Sequence, residues 1–226
     1  MVIHRPASKY PKLYHMADKR NWDNICQHGL LSTTALLDLF EYEGQARFEI
    51  ESQLRLKTFR ITHATHGVAY IRDQDPMRDR PEDGICLDKC LVGITPQQWF
   101  EFLNKKVFFW TELTGLNYML GARLYRDRSH YVITVDTQYL LDHYAKKISL
   151  SSLNSGSLYG RNGREPRSLD TFKPISQYTR MPWVTELAVD YSVPDIMGLI
   201  VSVDECISQW CNGRKACKVL KRIWPT

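Results

Sequence analysis

The chain has 226 residues, a mass of 26.4 kDa and a formal net charge of +5, from 30 Lys+Arg against 25 Asp+Glu. Hydrophobic residues make up 43% and charged residues 24%. These proportions exclude a wholly disordered chain, a collagen, a coiled coil and a small disulfide scaffold, and point to a single domain over 1–226 with a sizeable core. The mild basic excess permits a polyanionic partner without requiring one.

In chain order, residues 1–12 read as an irregular N-terminal arm. The opening MVIHRPASKYPK has no apolar h-region, so a secretory signal is not expected. Leu13–Met16 reads as a short strand, and Asp18 as the cap of a helix closed by Gly29. Residues 33–57 read as a helical region that Gly44 interrupts, 60–72 as strand and turn, and 73–90 as a charged loop. Thr95-Pro96 starts a helix carrying Trp99, Phe100 and Leu103. Val107–Trp110 is a continuous apolar run that suits a strand buried on both faces. A short helix through Tyr118 follows and stops at Gly121. Tyr131–Val135 reads as strand, Asp136 as the cap of the next helix, and 147–151 as strand. Residues 154–167 form a long polar loop. Strands are expected at 171–178, around Glu186 and at 198–203, and a basic C-terminal helix over 204–226. The sum is an α+β protein without regular βαβ alternation.

No apolar run approaches the roughly 20 residues that span a bilayer, so no membrane partner is expected. The cysteines at 26, 86, 90, 206, 211 and 217 lack paired CxxC spacing, so no metal site is expected. They read as reduced thiols of a cytoplasmic protein.

Phosphate loops, nucleophile elbows and HExxH are missing, so any site must be assembled from scattered residues. Three draw attention: His15 in an apolar strand, Tyr118 behind the aromatic strand 107–110, and Glu186 in the apolar strand around it. A carboxylate there is costly to bury unless paired or functional. Taken singly, each is also compatible with a packing or surface role.

Their order is more specific. Leu13-Tyr14-His15-Met16, followed by Asn21, Ile25, Gly29 and Leu30, resembles the first motif of the ADP-ribosyltransferase superfamily of the His-Tyr-Glu type. Phe109 with Tyr118 resembles its second motif, and Glu186 behind a variable loop its third. The context Glu186-Leu-Ala-Val-Asp-Tyr-Ser-Val-Pro is similar to that of DarT-type DNA ADP-ribosyltransferases. Two departures stand out. Met16 occupies the position where poly-ADP-ribosylating relatives have glycine. The arginine turn usual after the DarT aromatic strand is missing, Arg123 being the nearest arginine.

The resemblance implies a fold of two small packed β-sheets around an NAD cleft with flanking helices. It also implies mono-ADP-ribosyl transfer from NAD. Glu186 would stabilise the oxocarbenium-like ribose and engage the nucleophile. His15 would bind the adenosine-side ribose and Tyr118 would stack on nicotinamide. Tyr14, Met16, Phe109, Trp110 and Arg123 would complete the cofactor pocket. A toxin or phage-defence role with a neutralising antitoxin partner is implied as well.

Arginine-modifying relatives carry an acid or amide two residues before the glutamate. Val184 stands there, which disfavours arginine as acceptor. The preceding loop instead holds Arg161, Arg164, Arg167 and Arg180, with Trp183 nearby. Cations interleaved with rings suit a nucleic acid, DNA or RNA. The alternatives are transfer to a protein, a small molecule or water, and a nucleic-acid-binding module without catalysis.

Overall fold

A computed structural model of the chain describes residues 5–159 and 165–225. The N-terminal segment is less irregular than expected. Arg5–Lys9 form one helical turn, α1, and β1 runs from Lys12 to Ala17. Helix α2 (Trp22–His28) ends at Gly29, whose φ is 79°. A Cβ at Gly29 would lie 2.4 Å from the Val193 carbonyl oxygen, so both backbone conformation and space demand glycine. This close approach lets β2 (Leu30–Leu31) pair with Ser192–Val193.

The helical region after residue 33 is two helices, α3 (Thr33–Leu39) and α4 (Gly44–Glu51), with Gly44 at φ 56° marking the break. Strands β3 (Phe59–His63) and β4 (Gly67–Ile71) form a hairpin. The charged segment beyond them contains only short turns and α5 (Leu87–Cys90). Thr95 and Gln98 build a capping box at the start of α6 (Pro96–Asn104), which buries Trp99, Phe100 and Leu103. Then come β5 (Lys106–Trp110), α7 (Leu113–Leu120), β6 (His130–Asp136), α8 (Thr137–Tyr144) capped by Asp136, and β7 (Ile148–Ser151). The strand expected over 171–178 shrinks to β8 (Lys173–Pro174), because single turns of 3-10 helix flank it. Strands β9 (Glu186–Asp190) and β10 (Ser192–Val193) follow.

The C-terminal helix is not formed. Residues 200–224 are instead a long hairpin of β11 (Ile200–Cys211) and β12 (Arg214–Trp224). Its turn is Asn212-Gly213, both with positive φ (49° and 73°), the backbone that two-residue hairpin loops require.

The expected pair of packed sheets is also replaced. Eight strands form one antiparallel sheet in the order β12-β11-β6-β1-β5-β9-β7-β8. Two-stranded sheets β10-β2 and β3-β4 stand beside it. The large sheet is nevertheless split. Strand β1 pairs with β6 from Lys12 to Ala17, and β5 with β9 along its whole length. Between β1 and β5 the only register pair is Tyr14↔Trp110. One face is continuous, with Leu13, Phe109, Ile133 and Leu187 packed beneath α8 and α2. The other is covered in two pieces: α7 packs on Met16, Val132 and Cys206, and α6 on the side of Phe108 and Ala188. No helix among the described residues is long and apolar enough to cross a membrane.

Candidate functional site

The split between β1 and β5 gathers most of the chemistry. Where a regular ladder would have β1 backbone N–H groups facing β5, the Phe108 carbonyl accepts instead from the His15 side chain, Nδ1 donating at 2.8 Å. The imidazole thus bridges the two half-sheets across the seam, its ring 5.8 Å from that of Phe109. Burial, opposed by that bond and reinforced by the Arg72 charge, lowers its pKa to about 4. At neutral pH the ring is uncharged, with its proton on Nδ1 and Nε2 left as an acceptor.

Arg72 is the cation at this site, and nothing in the sequence singled it out among 30 Lys and Arg. It follows directly on β4. Its Nη2 donates to the Met16 carbonyl at 2.5 Å and its Nη1 points to the Met119 sulfur. Both acceptors are neutral, and among the described residues no direct ion pair neutralises it. Burial lowers its pKa, and its charge in turn helps to suppress protonation of His15 and His130. Such a guanidinium keeps donors for an anion.

The motif residues explain its placement. The Asn21 amide donates to the Tyr70 carbonyl and accepts from the Tyr70 N–H, both at 2.8 Å. Arg20 lies 3.7 Å over the Tyr70 ring. Together they pin β4 against the segment after β1 and deliver Arg72 to the end of that strand.

Glu186 opens β9 and is 5% exposed. It stands opposite Trp110 on one side and Ser151 on the other. With Tyr14 opposite Trp110, the four side chains form one row across the sheet. The Ser155 backbone N–H donates to Glu186 Oε2 at 3.1 Å. Burial raises the carboxyl pKa to about 7 against the Ser155 bonds and the Arg167 charge, so it is poised between acid and base at neutral pH. Strand alternation sends His15, the residue after Tyr14, to the opposite side of β1, toward Phe109.

Trp110 lies against α7 at Gly115, where a Cβ would come within 2.4 Å of its ring. Gly115→Ala is therefore expected to push Trp110 out of the row and cost about 1–3 kcal/mol. A thermal melt checks this.

The other anticipated residues divide. Met16 is buried and enters through its carbonyl. Tyr118 does not join His15 and Glu186: it is 68% exposed on the outer side of α7, because Leu116 and Leu120 take the inward positions. Arg123 is exposed in the turn after α7, and the arginine that reaches β1 is Arg72. Arg161 and Arg164 lie outside the described residues. Arg167 is no phosphate grip. It is 1% exposed and donates to the Ser157 and Glu165 carbonyls, each at 2.8 Å, so it ties down the loop that carries Ser155. Arg180 and Trp183 are exposed, and Arg180 donates to Ser152 at 3.1 Å, which sets a cation and a ring at the rim beside Glu186.

No match to this chain was found among curated proteins or among solved structures. Residues 11–200, the span from β1 to the start of β11 that carries His15, Arg72, Trp110 and Glu186, match a family described as a family of unknown function, DUF7002, and the chain belongs to that family.

Proposed function

We propose that this protein is an NAD-dependent mono-ADP-ribosyltransferase that modifies a nucleic-acid base. The observation that carries the reading is the opened seam between β1 and β5. One side holds a neutral imidazole with a free acceptor nitrogen beside an unneutralised guanidinium. A buried carboxyl with its pKa raised to about 7 stands two strands away, its side chain in the Tyr14 and Trp110 row while the imidazole leaves on the Phe109 side. A dinucleotide needs these groups: an acceptor for a ribose hydroxyl, a cation for the pyrophosphate and a carboxylate for the reacting ribose.

In this reading the bond between ribose C1′ and the nicotinamide nitrogen breaks, and the electron pair leaves with nicotinamide. The developing positive charge on the ribose is stabilised by ionised Glu186. A lone pair of the acceptor base closes the new bond to C1′, and its proton passes to the carboxylate. Arg180 and Trp183 at the rim suit a phosphate and a base. The decisive assay incubates the protein with labelled NAD and single-stranded DNA, RNA or protein. Label is expected on nucleic acid and not with Glu186→Ala. Transfer that survives this substitution ends the proposal, and label on protein or free ADP-ribose alone reassigns the acceptor.

His15 has a separable role. Asparagine can still donate to the Phe108 carbonyl but offers nothing in place of Nε2. His15→Asn is expected to melt near wild type while raising the KM for NAD about tenfold, the worth of one hydrogen bond. His15→Ala should lose on both counts.

A further inference from the structure

The β11–β12 hairpin outruns the sheet that supports it. Strand β6 pairs with β11 only as far as Cys206↔His130, whereas β11 and β12 pair on to Cys211↔Arg214. Residues 207–218 are therefore a two-stranded ribbon with no sheet neighbour. From Ile207 to Trp224 there are five Lys or Arg and no Asp or Glu. The chain's net charge is +5, equal to the charge of this stretch, so the remainder of the chain balances.

Two of the five cations are engaged and the others are displayed. Arg222 pairs with Asp204 at the supported end, and Lys215 anchors the ribbon by donating to the Gly121 carbonyl at 2.7 Å. Arg214 and Lys218 are exposed. They leave the ribbon on one face, by their register with Cys211 and Ile207. On the other face, opposite Lys215, Trp210 is 73% exposed. Val219 and Leu220 are exposed as well. Lysines on a free edge strand guard against edge-to-edge pairing, but a guard works by removing apolar surface from the edge. A bare indole at the tip is the opposite device. Cations for phosphates with a ring for bases are the two components by which single strands are held.

We propose that the tip of the β11–β12 ribbon docks single-stranded nucleic acid that wraps over its edge, phosphates meeting Arg214 and Lys218 on one face and a base stacking on Trp210 on the other. It deepens the reading above, on which it rests for the acceptor's role, while the binding itself needs no NAD.

The test is fluorescence anisotropy with a labelled 30-nucleotide mixed-sequence single strand, as DNA and as RNA, without NAD, over a series of salt concentrations. The competitors are a duplex of the same sequence and polyglutamate. Arg214→Gln with Lys218→Gln is expected to weaken binding at least tenfold and to flatten the salt slope by about 1.4, from roughly 0.7 per phosphate contact. Trp210→Ala is expected to weaken it about ten- to a hundredfold with the slope unchanged. Both variants should keep the wild-type melting temperature, since the side chains are exposed. Wild-type affinity in either variant overturns the proposal, as does displacement by polyglutamate or duplex at the same concentration as by unlabelled single strand. Glu186→Ala run in parallel separates the two ideas. Binding that is retained while label transfer fails in every protein indicts the transferase reading alone. Label transfer with ribbon variants that bind normally indicts the ribbon alone.

Discussion

Glu186→Gln is expected to be more stable than the wild-type protein at pH 8, by about 3 kcal/mol, and at the same time inactive. The carboxyl is buried, and burial holds its pKa near 7, above the ordinary value of 4.5. Folding therefore favours the protonated form. The penalty is absent below pH 4.5 and grows as pH rises through 7. By pH 8 the whole shift is expressed, at 1.36 kcal/mol per unit. Glutamine has nearly the same shape, still accepts from the Ser155 N–H and carries no charge. For a domain of this size the gain is about 6–12 °C in Tm. His15 and His130 act in the opposite direction. Their folded pKa values are lowered to about 4, so their contribution is complete above the ordinary 6.5 and is lost as pH falls toward 4. The wild-type stability curve should peak between these limbs. The variant should lose only the alkaline decline, and its advantage should vanish by pH 4.5. Melts from pH 4.5 to 8.5 check this; equal Tm values at pH 8 would refute a charge stored in a dry site. Stability spent on an ionised carboxylate is what a working group costs.

Arg167→Leu is expected to destabilise the fold by about 3 kcal/mol and to move the pH dependence of activity upward. The guanidinium is fully enclosed and donates to two carbonyls of its own loop. Leucine fills part of the volume but leaves both oxygens without a partner. The loop between β7 and β8 then loses the clamp that sets Ser155 over Glu186. Arg167 also lowers the Glu186 pKa, so its removal keeps the carboxyl protonated to higher pH. Arg167→Lys discriminates the two effects: the charge returns but the two-pronged donor does not. It should restore the pH profile and little of the Tm. An unchanged profile in Arg167→Leu would show that the charge does not reach Glu186.

Several elements were legible because their signals are local. The Thr95-Pro96 start, the Asp136 cap and the stop at Gly29 depend on a handful of adjacent residues, and each marks the boundary observed. The C-terminal hairpin was also written locally, in Asn212-Gly213. Its basic residues also fit a solvated helix face, which is the reading the charge pattern alone favours. Tyr118 failed for another reason: one turn of helix has three or four outward directions, and only packing of Leu116 and Leu120 on the sheet selects which residue is left outside.

The amino-acid order was enough for an α+β chain and for the strands that carry His15, Trp110 and Glu186; it left that glutamate's burial open, and the fold settles it at 5% exposed. Only the tertiary structure decided that the large sheet opens between β1 and β5, that Arg72 stands at the opening and that Arg167 is sealed inside. Those outcomes depend on pairings across tens of residues, Asn21 with Tyr70 and Arg167 with Ser157 and Cys90 among them. A charged side chain has no periodicity that says which backbone oxygen it will meet; that is settled when strands distant in the chain come within hydrogen-bonding reach.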